Sequence, residues 1–328
     1  MARVNELRMI ARVAQLYHIE GKRQADIARS LRISQATISR MLKKAQEEEI
    51  VRTTIVSPAG TFATLEAGLR QQFNLPEAIV VECTEDRSGP IMARIGEAGA
   101  HFLETTLQPG EIIGVSSWSE TIQKMVENIH PMNQSRAKYI VQTLGGMGNP
   151  SVQTHATQLT TRLAKLTGAE PKLLSAPGVA HSREAKLVLL SDQYVRETMD
   201  LFDQISLAII GIGAVEPSSM LARSGNTFSA QELAELADMG AVGDISLRFF
   251  DENGHAVQTA LNDRVTGMPM EQLAKVDRVI GVAGGEQKTQ AILGALRTGV
   301  MDVLITDKFT ARRLLERCGI EVPPDDAG

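Results

Sequence analysis

The segment KRQADIARSLRISQATISRMLKK (residues 22–44) decides how the amino-terminal part of this chain folds. Apolar residues recur at helical spacing in two short runs, first in ADIARSL and then in ATISRML. Ser34 stands just before the second run, where its hydroxyl can accept a hydrogen bond from a free backbone N–H of a helix. The segment therefore predicts a helix-turn-helix. Arg32 occupies the turn position that often carries glycine, and we expect it to hold a left-handed conformation.

The side chains left outside on the second helix are short polar groups and long cations. Amides and hydroxyls suit base edges in the major groove, while Arg and Lys suit guanine or phosphate. The alternative is an ordinary pair of packed surface helices. We favour DNA binding, and the residues expected to contact DNA are Gln24, Ser34, Gln35, Ala36, Thr37, Ser39, Arg40 and Lys43.

The charge of the 328-residue chain is unevenly distributed. Residues 1–60 hold 11 Lys and Arg against 6 Asp and Glu, a net charge of +5, whereas the remaining 268 residues hold 23 against 33, a net charge of −10. A basic end on an acidic body suits a DNA-binding head. The two cysteines are far apart, and no signal peptide or membrane-spanning run is visible, so we expect a protein of the reducing cytoplasm.

Flanking segments complete the predicted head. Residues 4–18 form an amphipathic helix in which Tyr17 closes the small core, although its hydroxyl could instead reach a phosphate. Residues 51–56 alternate like a strand, which makes the head a winged helix-turn-helix. A helix at 61–73 either packs onto the next domain or meets a partner subunit. The expected domains are a DNA-binding head (1–58), a connector helix (59–76) and an effector domain (77–328).

From Glu77 onward, strand and helix patterns alternate. Strands are predicted at 78–81, 112–115, 139–144, 205–213, 279–285 and 303–307, and helices at 90–107, 119–130, 151–168, 183–200, 229–238, 286–298 and 308–318. This order predicts an α/β fold with a doubly wound, mostly parallel sheet. Residues 247–257 predict a hairpin insertion that turns at Asn253–Gly254. Ligands of such sheets bind beyond the carboxyl ends of the strands.

Two loops at predicted strand ends are rich in hydroxyls or glycines. The segment Gly114–Thr121 carries three serines and a threonine ahead of a helix, and the N–H groups of a helix N-terminus attract phosphate. A single hydroxyl would suffice for N-capping, so both interpretations remain open. The segment Gln142–Gly148 holds three glycines, which allow close approach of the backbone to a ligand but equally allow a flexible turn.

Two further loops carry charged side chains. Asp244 follows Gly240 and Gly243, and its carboxylate could accept hydrogen bonds from sugar hydroxyls or simply cap a turn. In VAGGEQK (282–288) a strand runs into two glycines, with Lys288 one turn into the next helix. That arrangement resembles a phosphate cradle but is not a Walker A loop. For Asp307 a helix N-cap is the better interpretation than a ligand contact.

Sequence signals for an enzyme are weak. The six histidines show no metal-ligand spacing, no G-x-S-x-G elbow is present, and no acid/base pair stands out from surface charge. Gly211-Ile-Gly213 does not complete a dinucleotide fingerprint because Glu216 stands where the third glycine belongs. We therefore predict a protein that is not an enzyme and has neither metal nor cofactor.

An ordered set of short motifs extends over nearly the whole chain. The head carries YHIEG (17–21), QADIA (24–28) and ISQATISRML (33–42); the body carries GVSSWSET (114–121), QTLGG (142–146), APG (176–178), GIG (211–213), GAVGDI (240–245), AGGEQKTQAI (283–292), ALRTG (295–299) and LITD (304–307). In this order they resemble the SorC/DeoR-type sugar-binding transcriptional regulators of bacteria. One departure is Ser119, where many members have Gly.

The resemblance implies an effector domain related to sugar-phosphate isomerases and deaminases, a phosphorylated sugar or polyol as effector, and a homodimer or homotetramer on operator DNA. Carried over by position, the residues that would hold the phosphate are Ser116, Ser117, Ser119, Thr121, Gly284, Gly285 and Lys288. Those that would line the sugar are Gln142, Gly145, Gly146 and Asp244, and Trp118 belongs to the same effector-binding set.

The function we predict is that of a cytoplasmic DNA-binding regulator, a repressor of a carbohydrate or polyol catabolic operon that a phosphorylated sugar controls. One rival is a sugar-phosphate isomerase or deaminase-like enzyme with an accessory DNA-binding head, because the same cradle serves binding and catalysis. Another is a regulator that senses an unphosphorylated sugar.

Overall fold

The computed structural model of the chain describes residues 2–52, 60–132 and 137–322. They form two compact units, Met1–Ser57 and Pro58–Gly328. None of the helices in this described part combines the length and the apolar content that a membrane-spanning helix needs.

The first unit contains three helices, α1 (Ala2–His18), α2 (Gln24–Leu31) and α3 (Gln35–Glu47). Their core residues are Ile10, Val13, Ala14, Leu16, Ile27, Ala28, Ile38, Leu42 and Ala45. The predicted helix-turn-helix is present, with α2 and α3 as its helices. The Ser34 hydroxyl accepts a hydrogen bond from the Thr37 N–H at 3.1 Å, and Arg32 has the predicted left-handed backbone, with a φ of 56°. For a non-glycine residue that conformation costs about 1–2 kcal/mol.

Tyr17 and the start of the predicted wing differ from the prediction. Tyr17 does not close the core: its exposed fraction is 38%, because α1 turns Val13 and Leu16 inward and leaves the Tyr17 ring edge-on against His18. Of the predicted wing, residues 51 and 52 are not in a strand, and residues 53–56 lie outside the described part of the chain.

The second unit is built on a seven-stranded sheet. Its strands, in spatial order, are β1 (Glu77–Val81), β10 (Val303–Asp307), β9 (Arg278–Val282), β5 (Leu207–Gly211), β2 (Glu111–Val115), β3 (Ala137–Gln142) and β4 (Glu170–Lys172). All six neighbouring pairs run parallel. A second, antiparallel sheet contains β6 (Gly213–Ala214), β7 (Ala241–Ile245) and β8 (Arg248–Asp251).

Helices of this unit connect the strands. They are α4 (Ala63–Phe73), α5 (Ser88–Thr106), α6 (Glu120–Asn128), α7 (Pro150–Thr167), α8 (Arg183–Leu189), α9 (Gln193–Met199), α10 (Ser219–Ser224), α11 (Ala230–Asp238), α12 (Met270–Leu273), α13 (Thr289–Arg297) and α14 (Lys308–Arg317). Short 3₁₀ turns occupy Phe202–Gln204, Ala260–Arg264 and Glu286–Lys288.

Buried apolar side chains of the central strand β5 alternate between two clusters, which shows that helices cover both faces of the sheet. On β5, Ala208 and Ile210 belong to one apolar cluster, shared with α4, α13 and α14. Leu207 and Ile209 belong to the opposite cluster, shared with α5, α6 and α7. Successive side chains of a strand point to opposite faces, so burial on both sides follows. This confirms the predicted doubly wound, parallel α/β fold.

Two predicted elements are each divided into two in the structure, and the predicted hairpin is joined by an additional turn. The strand predicted at 205–213 breaks at Ile212 into β5 and β6, and the second piece joins the antiparallel sheet. The helix predicted at 183–200 is two helices, because Asp192 starts α9 by accepting hydrogen bonds from the N–H groups of Tyr194 and Val195. The hairpin predicted at 247–257 is confirmed: the chain turns at Asn253–Gly254, and the Val257 N–H donates to the Phe249 carbonyl at 2.9 Å. An additional turn, at Ser246 and Leu247 with positive φ angles, joins β7 to β8.

Candidate effector-binding cavity and DNA-binding face

A cavity of about 660 Å³ opens at the carboxyl ends of β2, β5 and β9. These three strands are neighbours in the sheet, so the loops that follow them meet at one edge, where ligands of such folds bind. Its polar lining residues are Ser88, Ser116, Ser119, Glu120, Glu216, Ser218, Asp244, Ser246, Gln287 and Lys288. Apolar lining comes from Met92, Trp118, Leu144, Ile212, Leu221 and Leu247.

Lys288 brings a cation to this cavity. It ends the 3₁₀ turn that follows β9, and its Nζ donates a hydrogen bond to the Ile212 carbonyl oxygen at 2.9 Å. Burial lowers the pKa of Lys288, whereas the carboxylates of Asp244 and Glu120 act in the opposite direction. One ammonium held by a backbone carbonyl is therefore available to an anionic ligand group.

Asp244 is a buried carboxylate on the opposing sheet. Its Oδ2 accepts a hydrogen bond from the Leu247 N–H at 2.8 Å, which secures the β7–β8 turn. Burial raises the pKa of Asp244 to about 6, while the Leu247 N–H and the Lys288 ammonium favour its ionised form. Gly213 is required beside it, because a Cβ at that position would overlap the Asp244 carboxylate.

The raised pKa of Asp244 predicts a pH dependence of stability. Its pKa is about 6 in the folded protein against 3.8 for an ordinary Asp, so the folded state binds the proton more tightly than the unfolded chain. The resulting stabilisation is complete below about pH 4 and is lost as pH rises to about 6, a change of about 3 kcal/mol. Asp244→Asn should lack this change.

Urea unfolding of the protein between pH 4 and 7.5 measures this contribution of Asp244 to the unfolding free energy of the second unit. The difference in unfolding free energy between wild type and Asp244→Asn should fall as pH rises through this window. Asp238→Asn, at the exposed end of α11, is the matched control and should follow the wild type. A difference that stays constant with pH would show that Asp244 is not the group responsible.

The serine-rich loop divides into residues that face the cavity and residues that lie behind it. Ser116, Trp118 and Ser119 line the cavity, and Ser119 also caps α6 by accepting a hydrogen bond from the Ile122 N–H. The Ser117 hydroxyl instead bonds to the Thr160 hydroxyl at 3.0 Å. Thr121 is buried and is not part of the lining. The hydroxyl groups of this loop therefore have two roles, since Ser116 and Ser119 line the cavity and Ser119 also caps α6.

The glycine-rich loops act mainly as structural support. The Gly145 carbonyl accepts a hydrogen bond from the Trp118 indole at 2.9 Å, and the Gln142 side chain accepts one from the Leu174 N–H. The Gly285 N–H donates to Asp307 and Thr310. Of the twelve residues predicted to bind effector, five line the cavity, whereas seven lie outside its lining: Ser117, Thr121, Gln142, Gly145, Gly146, Gly284 and Gly285.

Several lining residues carry no signal in the sequence. Ser88 comes from the first turn of α5, and Glu216 and Ser218 come from the segment between β6 and α10. Ser246 lies in the β7–β8 turn, which was not predicted. Glu120 and Gln287 were within reach of motif reasoning, because they stand in the quoted motifs GVSSWSET and AGGEQKTQAI. Asp307 is the predicted N-cap, since it accepts a hydrogen bond from the Thr310 N–H at 2.9 Å.

On the first unit, α3 and its N-cap Ser34 present seven of the eight residues predicted to contact DNA, and Gln24 begins α2. Six of them are exposed, namely Ser34, Gln35, Ala36, Ser39, Arg40 and Lys43, while Gln24 and Thr37 are half-buried. The Arg40 guanidinium donates to the Thr37 hydroxyl at 3.3 Å. Lys44, one turn after Arg40, is bound by the Glu6 carboxylate at 2.6 Å. The amino-terminal half of α3 is thus a polar and cationic surface.

Comparison with known proteins decides the family. The model of a sugar-binding domain matches residues 57–316. The deoxyribonucleoside regulator of Bacillus subtilis (strain 168) is 33% identical over 303 residues, which cover 92% of this chain and 95% of that protein. The chain belongs to the SorC/DeoR-type family of sugar-binding transcriptional regulators.

Solved structures of family members agree with this fold. The full-length sorbitol operon regulator SorC from Klebsiella pneumoniae matches with a TM-score of 0.70 and 30% identity, covering 95% of this chain and 99% of that one. The sugar-binding domain of the transcriptional regulator DeoR from Pseudomonas syringae pv. tomato is 41% identical, with a TM-score of 0.61, and covers 76% of this chain and 97% of that one. The similarity of this SorC/DeoR-type regulator to SorC extends over 95% of the chain.

Proposed function

We propose that this regulator represses a carbohydrate or polyol catabolic operon and that a phosphorylated sugar or polyol, bound in the cavity, relieves the repression. The observation that supports this most is Lys288, a partly buried ammonium at the strand ends. A phosphate is the ligand group that such a cation, next to serine hydroxyls, would bind. Related proteins are named for deoxyribonucleosides and for the sorbitol operon.

The proposed mechanism is a shift between states of different DNA affinity. A ligand changes such an equilibrium only through its differential affinity for the two states. The phosphorylated effector would favour the state whose heads fit the operator less well. We propose binding without turnover, because the relatives are named as regulators; assays with pentose and hexose phosphates should show no product.

Trp118 offers a direct test, because it is the single tryptophan of the chain and it lines the cavity. Its fluorescence should change on titration with four-, five- and six-carbon sugar and polyol phosphates. The matching unphosphorylated compounds should have little effect. Saturable changes with the unphosphorylated compounds alone would refute a phosphorylated effector and favour a sensor of free sugars.

We also propose that the regulator acts as a homodimer or larger oligomer, since one α3 helix reads only one half-site of a palindromic operator. The α8–α9 patch, defined as Leu187, Val188 and Tyr194, is the surface proposed for self-association. Exposed fractions of these side chains are 58%, 71% and 72%. Charges along residues 183–197, the segment that contains the patch, balance with three of each sign: Arg183, Lys186, Arg196, Glu184, Asp192 and Glu197.

That balance matters because residues 61–328 carry a net charge of −10, so two copies repel each other except where the charges cancel. We expect the double substitution Leu187→Asp/Val188→Asp to yield monomers in light scattering at concentrations where the wild type is oligomeric. Met239→Asp, at a residue that is 51% exposed elsewhere, is the control. An unchanged mass of the double variant would place the interface elsewhere.

A further inference from the structure

The charges that line the cavity are unequal in number. Among the residues that the structure describes, Lys288 is the single cationic side chain in the lining, whereas three carboxylates belong to it, those of Glu120, Glu216 and Asp244. Uncharged polar groups of serines and of Gln287 make up the rest of its polar surface. The cavity therefore offers one position, at Lys288, for an anionic ligand group, and several positions for uncharged hydrogen-bonding groups.

The hydrogen bond of Lys288 limits where in the cavity an anionic group can be bound. Its Nζ is held by the Ile212 carbonyl at 2.9 Å, so the ammonium is fixed at the end of β5 and does not serve both ends of a ligand. Asp244 and Glu120 interact with this ammonium, so the carboxylate that an anionic group elsewhere in the cavity would face is that of Glu216. Like charges repel each other, and this repulsion would weaken the binding of a ligand that carries a second anionic group there.

Neutral hydroxyl groups fit the same carboxylates well. A carboxylate accepts hydrogen bonds from hydroxyls with both oxygens, and such bonds to a charged group are stronger than those between neutral groups. Asp244 retains this capacity, because only its Oδ2 is bonded to the Leu247 N–H. The part of the cavity beside Asp244 is therefore suited to the hydroxyl groups of a polyhydroxylated chain.

We infer that the effector carries a single phosphate on an otherwise uncharged polyhydroxylated chain, and that the cavity excludes bisphosphates and phosphorylated sugar acids. This inference rests on the proposed function and narrows its ligand class. Glu216 is the residue that we propose to select against a second anionic group. Its exposed carboxylate lines the cavity, so a second phosphate or a carboxylate of the ligand would be repelled there.

Compounds that share one carbon skeleton test the inference. Glucitol 6-phosphate and 6-phosphogluconate differ only at C1, where the first has a neutral alcohol and the second a carboxylate, and fructose 1,6-bisphosphate adds a second phosphate. Four- and five-carbon polyol phosphates, each paired with the corresponding phosphorylated sugar acid, test whether the effector has a shorter chain. Trp118 fluorescence at pH 8 reports binding, and within the pair that binds we expect the acid to bind at least tenfold more weakly than the polyol phosphate.

A variant pair makes the test specific. Glu216→Gln should reduce the difference between polyol phosphate and acid several-fold, whereas Glu252→Gln, an exposed glutamate outside this cavity, should leave it unchanged. Equal affinities of wild type for acid and polyol phosphate would overturn the inference and leave the proposed function standing. Binding of no phosphorylated compound in the panel would overturn both.

Discussion

Replacing Lys288 with methionine is expected to weaken binding of the phosphorylated effector by about 3 kcal/mol, or about 100-fold, because it removes the only cation that the described cavity lining offers. Methionine retains most of the length and apolar volume of the lysine stem. The Ile212 carbonyl loses its hydrogen bond from Nζ, a smaller effect on folding. Trp118 fluorescence titration measures the loss directly.

Two controls make this result interpretable. Lys275→Met removes an exposed lysine of the same unit and should bind effector like the wild type. Lys288→Met itself should bind operator DNA with unchanged affinity but should no longer respond to effector. If Lys288→Met bound the phosphorylated effector as tightly as the wild type, the phosphate site would have to lie elsewhere.

Replacing Arg40 with alanine is expected to weaken operator binding by about 1–3 kcal/mol, that is, between about fivefold and more than 100-fold. Arg40 is exposed on α3, and its guanidinium is oriented by the Thr37 hydroxyl at 3.3 Å. An arginine in this position can reach guanine in the major groove with two donors. Fluorescence anisotropy with a labelled promoter fragment measures the affinity.

The form of the loss distinguishes two roles of Arg40. If it contacts a base, Arg40→Ala weakens operator binding more than binding to random duplex; if it contacts phosphate, both weaken alike and the salt dependence becomes shallower. Arg12→Ala, on α1 and near Glu20 at 3.6 Å, is the matched control within the head. Unchanged operator affinity of Arg40→Ala would remove Arg40 from the interface.

The regular part of the fold was predictable because each element carries its own pattern. The β10 strand and the α11 and α14 helices fall within a residue or two of their predicted limits, since apolar runs and caps such as Asp307 lie within the elements themselves. Tyr17 was misplaced because α1 offers two apolar faces, and only tertiary packing selects the one with Val13 and Leu16.

The antiparallel sheet was harder to predict for a physical reason. Its central turn uses Ser246 and Leu247 with φ of 53° and 61°, whereas sequence reasoning expects glycine or asparagine at such positions. The turn is held instead by the Asp244 carboxylate, three residues before Leu247. Leu in a left-handed conformation carries no sequence signal, so only the second turn, at Asn253–Gly254, was predicted, and the structure confirms that turn.

The candidate site was predicted only in part, because motif residues do not reveal which way their side chains point. Ser117 and Ser119 are two residues apart, yet the first bonds to Thr160 and the second lines the cavity. Glycines that looked like a phosphate cradle, such as Gly285, donate their N–H groups within the protein. Glu216 reaches the cavity from a segment without any motif.

The central claim is that a phosphorylated ligand in the cavity changes how the head binds DNA. The most direct measurement is operator binding by the full chain, followed by anisotropy, with and without saturating sugar or polyol monophosphate. We predict that the effector which saturates the Trp118 signal weakens operator binding of the wild type at least tenfold and leaves that of Lys288→Met unchanged. Saturation of the Trp118 signal with no change in operator affinity would contradict the claim.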